Sequence, residues 1–311
     1  MDVYLASPRG FCAGVVRAVD IVELALQKFG PPVYVKHQIV HNPYVVKDLE
    51  GKGAITVEHV KEVPPGSVVV FSAHGSPPSD YAEATARDLR VIDATCPLVT
   101  RVHNEAKKYA REGKKVVLVG HRGHQEVIGT TGQSEMTLFD EREQFEVPRW
   151  GDDTEVAVLT QTTLSVRDTA RAVAEVRKRY PGAIVRNDIC YATTNRQEAA
   201  QALAKVSDMV LVIGAQNSSN CNRLREVAIA EGVPAHLING PEELDPKWFA
   251  GIHRVGITSG ASTPENLVQA VVLALKPKNV VHIGGPDENI TFTLPKELRG
   301  EEKSQPLGRV R

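Results

Sequence analysis

Short apolar runs rich in β-branched residues recur along the chain, separated by polar loops and by segments with helical periodicity. The runs start at Val33, Ser67, Lys115, Glu155, Met209 and Arg254 and read VYVKHQIV, SVVVFS, KVVLVG, EVAVLT, MVLVIG and RVGITS. Continuous apolar runs are typical of strands that are buried on both faces of a sheet. Their alternation with helices predicts an α/β fold, in which parallel sheets are flanked by helices.

The helical segments carry start and stop signals. One begins near Gly14 and ends at Gly30, and its predicted buried face consists of Val15, Val19, Val22, Leu26 and Phe29. Capping signals predict further helix starts at Pro97, Ser165, Thr194 and Thr263. After about Pro277 the segment ENITFTLP alternates with period two, which predicts a late strand.

Two segments of the chain resemble each other and indicate its division into lobes. VIDATCPLVTRV and VRNDICYATTNRQ form a weak internal repeat, which favours boundaries near Cys96 and Cys190. A length of 311 residues also favours two or three lobes over one. We therefore predict three similar lobes over residues 1–96, 97–190 and 191–278. Residues 279–311 are predicted to form a tail that returns to the body.

Composition excludes several classes of function. The formal net charge is −1 and the pI is about 6.8, so no global positive field attracts nucleic acid or an anionic membrane. We expect the start MDVYLAS not to be a targeting leader, and no apolar run approaches the roughly 20 residues that span a bilayer. We therefore expect a cytoplasmic protein. In that compartment its four cysteines are expected to be thiols or metal ligands, not disulfides.

Three of the cysteines lie about one lobe's length apart, in the segments PRGFCAG, DATCP and NDICYATTN. Cys12, Cys96 and Cys190 are too widely separated for a zinc ribbon or a small ferredoxin. They indicate one metal site to which each segment contributes a ligand. Three ligands without an obvious fourth leave a coordination position open, as in catalytic metal sites. The alternative is that each cysteine is a small buried apolar residue.

Polar loops follow nearly every predicted strand. They read QIVHN, SAHGS, GHRGHQE, TQTTLS, GAQNSSN and SGASTPE. In a parallel sheet these loops lie at the same edge, where helix N-termini offer free N–H groups to an anion. A single loop of this kind is more often a helix cap than a ligand site. Six loops with one orientation predict a site for a small diphosphate.

Histidines and one glutamate add directed chemistry to these loops. His41, His74, His121 and His124 follow strand-like runs and fit donors to phosphate oxygens. The other histidines are interpreted as surface or structural, except His37, which is ambiguous. A zinc site is the alternative, but the i,i+4 spacing common for histidine ligands on one helix is missing. Glu126, two residues after His124, is the candidate proton donor. The alternative for Glu126 is an exposed first-turn residue that complements the helix dipole.

Seven motifs occur together in one order: PRGFCAGV, SAHGS, DATCP, GHRGHQEV, TQTTLS, DICYATTNRQ and NSSNCNRL. As a set they resemble the 4-hydroxy-3-methylbut-2-enyl diphosphate reductase family, which catalyses the last step of the methylerythritol phosphate route to isoprenoids. The likeness extends from Ser7 to about Pro264. It implies a trefoil arrangement of three α/β lobes around a central, oxygen-sensitive [4Fe–4S] cluster, one per chain.

The resemblance also implies roles for individual residues. Cys12, Cys96 and Cys190 match the three cluster ligands, which leaves the fourth iron free to bind the substrate's terminal hydroxyl. Glu126 matches the proton source, and Thr162 matches the threonine that positions the hydroxyl and relays the proton. The residues that match the diphosphate site are His41, His74, His124, Ser218, Ser219, Asn220 and Ser262. Cys221 stands where a serine is usual, and we predict that it is a small loop or helix-start residue and not a fourth ligand.

The implied reaction is a reductive dehydroxylation with two electrons and two protons, which yields isopentenyl and dimethylallyl diphosphate. It requires an external one-electron donor, such as ferredoxin or flavodoxin, and the family usually works as a monomer. Two other functions remain open at this point. A zinc-dependent hydrolase of a phosphorylated metabolite would use the same thiols and histidines. A non-catalytic iron–sulfur sensor would bind a small anion without converting it.

Overall fold

A computed structural model describes residues 1–299, without the side chain of residue 168. Its strands are β1 (Asp2–Ala6), β2 (Val33–Lys36), β3 (Ala54–Val57), β4 (Val68–Phe71), β5 (Arg90–Asp93), β6 (Lys115–Val119), β7 (Thr137–Phe139), β8 (Val156–Thr160), β9 (Ile184–Val185), β10 (Met209–Ile213), β11 (Ala235–Ile238), β12 (Arg254–Ser259) and β13 (Val280–Ile283). The six apolar runs of the sequence correspond to β2, β4, β6, β8, β10 and β12.

The α-helices lie between these strands. They are α1 (Ala13–Phe29), α2 (Pro43–Gly51), α3 (Pro78–Ala86), α4 (Pro97–Arg111), α5 (Gln125–Thr131), α6 (Val166–Arg179), α7 (Tyr191–Ala204), α8 (Ser219–Ala230) and α9 (Glu265–Leu275). No helix in residues 1–299 is both long and apolar enough to span a membrane.

The strands form three parallel sheets, one in each lobe, and helices flank them, as predicted. Their orders are β3-β2-β4-β5, β7-β6-β8-β9 and β11-β10-β12-β1-β13. Every pair of neighbouring strands is parallel. The first three positions follow the same rule in each sheet, since the second strand of the lobe lies at the edge, the first lies beside it and the third comes next. The fourth position is occupied by β5, by β9 and, in the third sheet, by β1. The three lobes are therefore versions of one unit.

Strand β1 lies in the third sheet, although the predicted range 1–96 assigned it to the first lobe. It occupies the position that β5 and β9 occupy in their sheets, between β12 and the added strand β13. Its register pairs Val3 with Val255 on one side and with Val280 on the other. An apolar strand gains hydrogen bonds on both edges in this position, so the start of the chain completes the last lobe. The proposed boundaries at 96, 190 and 278 stay predictions.

The helix predictions need two corrections. Helix α1 has the predicted bounds, and Val15 and Val22 are buried as predicted. The buried stripe also includes Ala18, Ile21 and Ala25, whereas Val19, Leu26 and Phe29 are only partly buried. Small alanines face the sheet because they allow the helix to approach it closely. The predicted start at Thr194 is wrong. Helix α7 already begins at Tyr191, and the capping residue is Cys190.

The predicted strand at ENITFTLP is absent from the described residues. The strand of this region is β13, further upstream, and residues 290–294 have no strand partner within the described part of the chain. Period-two alternation predicts a face to bury but not a sheet edge to pair with. Leu294 and Leu298 pack instead against the core between α1 and the first sheet. Residues 300–311, the end of the predicted tail, lie outside the described residues.

Candidate active site

Each of the three separated cysteines occupies the N-cap position of a helix. Cys12 precedes α1, Cys96 precedes α4 and Cys190 precedes α7. These three helices are the first helices of the three lobes. The N-terminus of a helix carries free N–H groups and a partial positive charge, which favours a thiolate over a thiol. The fold therefore brings three potential thiolates to three positive helix ends.

Gly14 shows how closely two of these sulfurs approach the backbone. A Cβ atom at this position would lie 2.8 Å from Cys96 Sγ and 3.7 Å from Cys12 Sγ. Burial, and to a lesser extent the nearby Cys12, raise the pKa of Cys96 to about 12 and that of Cys190 to about 11. These partly buried thiols disfavour ionisation on their own, and a bound metal would ionise them. The donor set fits a thiophilic metal group.

The spacing of the sulfurs favours a cluster over a single ion. Among the described residues, the set of three ligand atoms that lie within 4.8 Å of one another belongs to His121, Asp140 and Glu141, not to the cysteines. A zinc ion with sulfur ligands at about 2.3 Å would require closer thiols, whereas the ligands of a cluster bind different iron atoms. The His121 group is internally paired, since His121 contacts Glu141 at 2.6 Å and Arg142 binds Asp140 at 2.6 Å.

Cys221 is a helix-start residue, as predicted. It is the third residue of α8 and is fully buried in the apolar core between α7, α8 and the third sheet. A Cβ atom at Gly214 or at Gly260 would lie 2.3 or 2.2 Å from its sulfur. The thiol therefore fills a space between two loop glycines, where a longer side chain would not fit.

Glu126 and Thr162 form one buried pair. The carboxylate is 3% exposed, and it accepts hydrogen bonds from the Thr162 amide at 2.6 Å and from its hydroxyl at 3.0 Å. Burial raises the pKa of Glu126 to about 7, although the bonds from Thr162 act in the opposite direction. The amide of Cys190 donates to the carbonyl of Thr162 at 3.0 Å. The carboxyl group of Glu126, which is partly protonated near neutral pH, is thus connected through the hydrogen bonds of Thr162 to Cys190, a candidate metal ligand.

The predicted histidines form one cluster of rings. The centroids of His41 and His74 are 4.1 Å apart, and that of His124 lies 5.4 Å from His41 and 6.0 Å from His74. His124 also caps α5, because its Nδ1 accepts a hydrogen bond from the Glu126 amide at 3.2 Å. That bond leaves Nε2 as the N–H donor of this ring. The cap connects the histidine cluster to the buried carboxyl group.

All three imidazoles are neutral near pH 7 in this arrangement. Burial, and next the proximity of His37, lower the pKa of His41 to about 4. Burial and the neighbouring His41 lower the pKa of His124 to about 3, and they lower that of His74 well below its ordinary value. Because like charges would lie close together, protonation needs a compensating anion. The cluster is poised to gain protons when an anion binds.

The beginning of α8 adds polar groups from the third lobe. Ser218 caps the helix by accepting from the Cys221 amide at 3.4 Å, and Ser219 donates to the Thr163 carbonyl at 3.3 Å. Asn220 is 4% exposed, and within the described residues neither atom of its amide group has a hydrogen-bond partner. A buried amide without partners costs free energy, so Asn220 is a group that a ligand would satisfy.

Ser262 and a glutamine connect the first and third lobes. The Ser262 hydroxyl donates to the His41 carbonyl at 3.0 Å. Gln38 Oε1 accepts from Asn217 at 3.2 Å and lies 3.4 Å from His41 Nδ1. His41 Nε2 is buried and has no partner in the described part of the chain. The histidine cluster therefore lies where loops of two lobes meet.

Sequence reasoning missed two residues of this site. His37 was left ambiguous, but its ring lies 5.9 Å from His41 and 6.1 Å from His74, and it adopts a φ of 60°. Its position after β2 in HQIVHN was the available signal. Asp188 was not singled out, yet it lies near Glu126 and helps to raise the pKa of that carboxyl group. His121, which the sequence grouped with the phosphate donors, contacts Glu141 instead.

Comparison with known proteins agrees with this geometry. A model of the LytB protein family matches residues 3–276. The chain is 53% identical to 4-hydroxy-3-methylbut-2-enyl diphosphate reductase 2 of Bradyrhizobium diazoefficiens over 306 residues, which cover 96% of this chain and 99% of that one. It is 50% identical to the corresponding reductase of Azotobacter vinelandii over 310 residues, which cover 96% and 98%.

Solved structures are similar over nearly the whole chain. The E-1-hydroxy-2-methyl-but-2-enyl-4-diphosphate reductase of Plasmodium falciparum superposes with a TM-score of 0.90 at 37% identity and covers 95% of this chain and 96% of its own. A structure described as (E)-4-hydroxy-3-methyl-but-2-enyl diphosphate reductase, the terminal enzyme of the non-mevalonate pathway, gives 0.62 at 34% identity and covers 88% and 99%.

Proposed function

The chain belongs to the LytB protein family, and from this membership we propose that it reduces 4-hydroxy-3-methylbut-2-enyl diphosphate. It is an oxidoreductase. Two electrons and two protons remove the allylic hydroxyl group as water and leave isopentenyl or dimethylallyl diphosphate. The relatives that cover nearly the full length of this chain carry the name of this reaction.

Cys12, Cys96 and Cys190 would hold the [4Fe–4S] cluster, one per chain. Their positions at three helix N-termini, their partial burial and their wide spacing support this assignment. When bound, such a cluster supplies electrons one at a time and an iron that acts as a Lewis acid. Gly14 keeps free the space beside two of the sulfurs, where any Cβ atom would collide with Cys96.

The diphosphate would bind among the histidines and the serine and asparagine groups. A site made of neutral N–H and O–H donors suits a dense anion, because the donors can approach from several sides without repelling one another. Two buried groups that have no hydrogen-bond partner within residues 1–299, His41 Nε2 and the Asn220 amide, support this position. The proposed contacts are His41, His74, His124, Ser218, Ser219, Asn220 and Ser262.

Glu126 would supply the proton that allows hydroxide to leave as water. Its pKa of about 7 keeps the carboxyl group partly protonated at neutral pH, which suits a general acid. The Thr162 hydroxyl donates to the same carboxyl group at 3.0 Å, so a proton could pass between the two. His124 orients the first turn of α5, where Glu126 is the second residue.

The electrons would come from an external one-electron carrier such as ferredoxin or flavodoxin. The enzyme would work as a monomer in the cytoplasm, where a reducing environment keeps its four cysteines from forming disulfides. Its substrate and its carrier are the partners that we propose.

The observation that carries the proposal is the buried Glu126, whose pKa is raised to about 7 and whose partner Thr162 accepts from the amide of Cys190, one of three cysteines at helix N-termini. Anaerobic purification, an absorption spectrum and an iron and sulfide count test it. We expect a brown protein with about four iron and four sulfide per chain, which converts the substrate when a one-electron reductant is present. A colourless zinc protein would point to the hydrolase instead. An iron protein that binds the substrate without converting it would point to the sensor.

A further inference from the structure

Each cysteine-capped helix carries an arginine in its second turn. Arg17 follows Cys12 by five residues, Arg101 follows Cys96 by five and Arg196 follows Cys190 by six. These arginines lie on α1, α4 and α7, the equivalent first helices of the three lobes. Each one contacts the loop that leads to the next cysteine around the trefoil.

Arg17 contacts the loop before Cys96. Its Nη1 donates to the carbonyls of Ala94 and Thr95 at 3.2 and 3.1 Å, and its Nη2 reaches the Asp93 carbonyl at 3.5 Å. Its Nε donates to the Thr293 carbonyl of the tail at 2.8 Å. One side chain thus contacts three consecutive carbonyl groups, and the last of them belongs to the residue before the cysteine.

Arg101 contacts the loop before Cys190 in the same way. Its Nη2 donates to Asp188 Oδ1 at 3.2 Å and reaches the Asn187 carbonyl at 3.5 Å. The Asp188 side chain is fully buried, and its other oxygen accepts from the Thr160 amide at 3.2 Å. The loop is therefore held from the helix on one side and from the end of β8 on the other.

Arg196 contacts the loop before Cys12. This fully buried side chain donates from Nη2 to the Gly10 carbonyl at 2.8 Å. Glu288 of the tail balances its charge through contacts of 2.9 and 3.1 Å. The Gly10 amide in turn donates to Ser259 Oγ at 2.9 Å. The start of the chain is thereby attached to the helix of the third lobe.

The three contacts obey one rule. In each case the arginine reaches the residue two positions before the next cysteine, which is Ala94, Asp188 or Gly10. The last strand of each lobe, β5, β9 or β1, leads into that loop. In each lobe, one cysteine precedes the first helix and the next cysteine follows the last strand. One arginine connects that helix to the loop after that strand.

We propose that Arg17, Arg101 and Arg196 are positioning residues that form a closed ring of clamps, in which each fixes the distance from one cluster ligand to the next. This inference rests on the proposed function, since it takes the three cysteines as ligands. A guanidinium group suits the task because its planar, permanently charged fork serves several acceptors at once, and hydrogen bonds from a charged donor are stronger than neutral ones. A lysine would keep the charge but not the fork.

If the ring holds the ligands in place, removing the contacts of one arginine should weaken retention of the cluster more than it lowers the stability of the fold. The test replaces each arginine in turn by Met, which keeps the aliphatic stem, and measures iron release to a chelator from anaerobically purified holoprotein. We expect release to be faster by about ten- to a hundredfold for Arg17→Met and Arg196→Met, as follows from the loss of charge-assisted hydrogen bonds. Arg101→Met should show a smaller increase, because that side chain is 55% exposed.

The Lys variants and a control separate positioning from general stability. Arg17→Lys and Arg101→Lys should recover only part of the loss and should alter the electron paramagnetic resonance spectrum of the reduced protein. Arg254→Met is the matched control, because Arg254 binds Asp208 at 3.0 and 2.6 Å at the opposite end of β12 from the site. The control should release iron at the wild-type rate. The thermal midpoints of the iron-free forms of Arg101→Met and the wild type should agree.

The outcomes distinguish this inference from the proposed function. Wild-type protein that carries no iron would overturn both. Wild-type protein with iron, together with Arg101→Met and Arg17→Met proteins that retain it equally long, would overturn the ring alone. Arg196→Met tests a buried charge and could fail to fold, so the half-exposed Arg101 supplies the decisive variant. Faster release from Arg254→Met as well would also overturn the ring, since it would show a general effect.

Discussion

At the scale of single residues, the buried Glu126 illustrates how environment decides chemistry. Its position in GHRGHQE was predictable from sequence, and so was its possible role as an acid. Its pKa of about 7 was not predictable from sequence. Burial raises this pKa and two hydrogen bonds from Thr162, a residue distant in sequence, lower it. His37 shows the same limit. Its ring joins the other imidazoles only because the backbone turns at a φ of 60°.

Replacing Glu126 with Gln should lower turnover by about two to four orders of magnitude, the range for a lost general acid. Because the pKa of Glu126 is raised to about 7, the proton is present below that pH and is lost above it. Wild-type turnover should therefore decline as the pH rises through 7, and the residual rate of Glu126→Gln should lack this decline. Iron content and diphosphate binding are the controls and should be retained. Turnover equal to that of the wild type would refute the role.

The histidine cluster should make the ligand-free protein sensitive to acid. The folded protein holds His41, His74 and His124 neutral, whereas the unfolded chain takes up protons below the ordinary pKa of 6.5. Stability is therefore full above pH 6.5 and declines towards pH 4, by about 1.4 kcal/mol per pH unit for each histidine. Denaturant titrations between pH 7 and 5 measure this slope, and His41→Asn should reduce it.

Inorganic diphosphate provides the complementary experiment. A bound anion favours charged imidazoles, so it should raise their pKa and restore part of the stability that is lost in acid. The protection should grow as the pH falls from 7 to 5. Equal protection at every pH would show that the histidines do not couple to the anion.

At the scale of helices and strands, hydrophobic periodicity predicted which segments form strands, but it did not predict which segments pair with each other. The six apolar runs all became strands, and Pro97 is the first residue of α4. Thr194 failed as a helix start because Cys190 caps α7 one turn earlier, so the candidate ligand is itself the cap. The period-two tail failed as a strand because Leu294 finds its burial in a side-chain core. A local pattern specifies a face to bury but not the partner that covers it.

Gly14 tests the packing of the first helix against the candidate cluster. Gly14→Ala should lower the iron content strongly, since the new Cβ would lie 2.8 Å from Cys96 Sγ. Gly51→Ala is the matched control: Gly51 is also helical, and a Cβ atom there meets nothing within 4 Å. The control should keep its iron, because alanine favours a helix over glycine. Full iron content in Gly14→Ala would show that the sulfurs can move away without loss of the metal.

At the scale of the whole molecule, the lobes share one plan. The weak repeat around Cys96 and Cys190 predicted similar lobes, and the sheet orders follow the same rule in their first three positions. The sequence could not show that β1 completes the third sheet, because strand pairing across the whole chain leaves no local signal. That pairing puts the loop before Cys12 at the end of the third lobe. The three consecutive lobes therefore form a closed arrangement, and an equivalent arginine contact occurs once in each lobe.

The tail contacts the third lobe through the ion pair between Glu288 and Arg196. A variant of Glu288 therefore tests whether the tail helps to hold the third lobe to the loop before Cys12. Arg196 is fully buried and Glu288 is 12% exposed at its side chain, so removal of the carboxylate would leave a buried charge without compensation. Such a loss typically costs about 3–5 kcal/mol, and the partial exposure of Glu288 favours the lower end. Glu288→Gln should therefore lower the thermal midpoint markedly. Glu143→Gln is the control, because its partner Arg122 is exposed, and it should change little. If both variants melt with the wild type, the tail does not hold the third lobe to the loop before Cys12, and the ring must close without it.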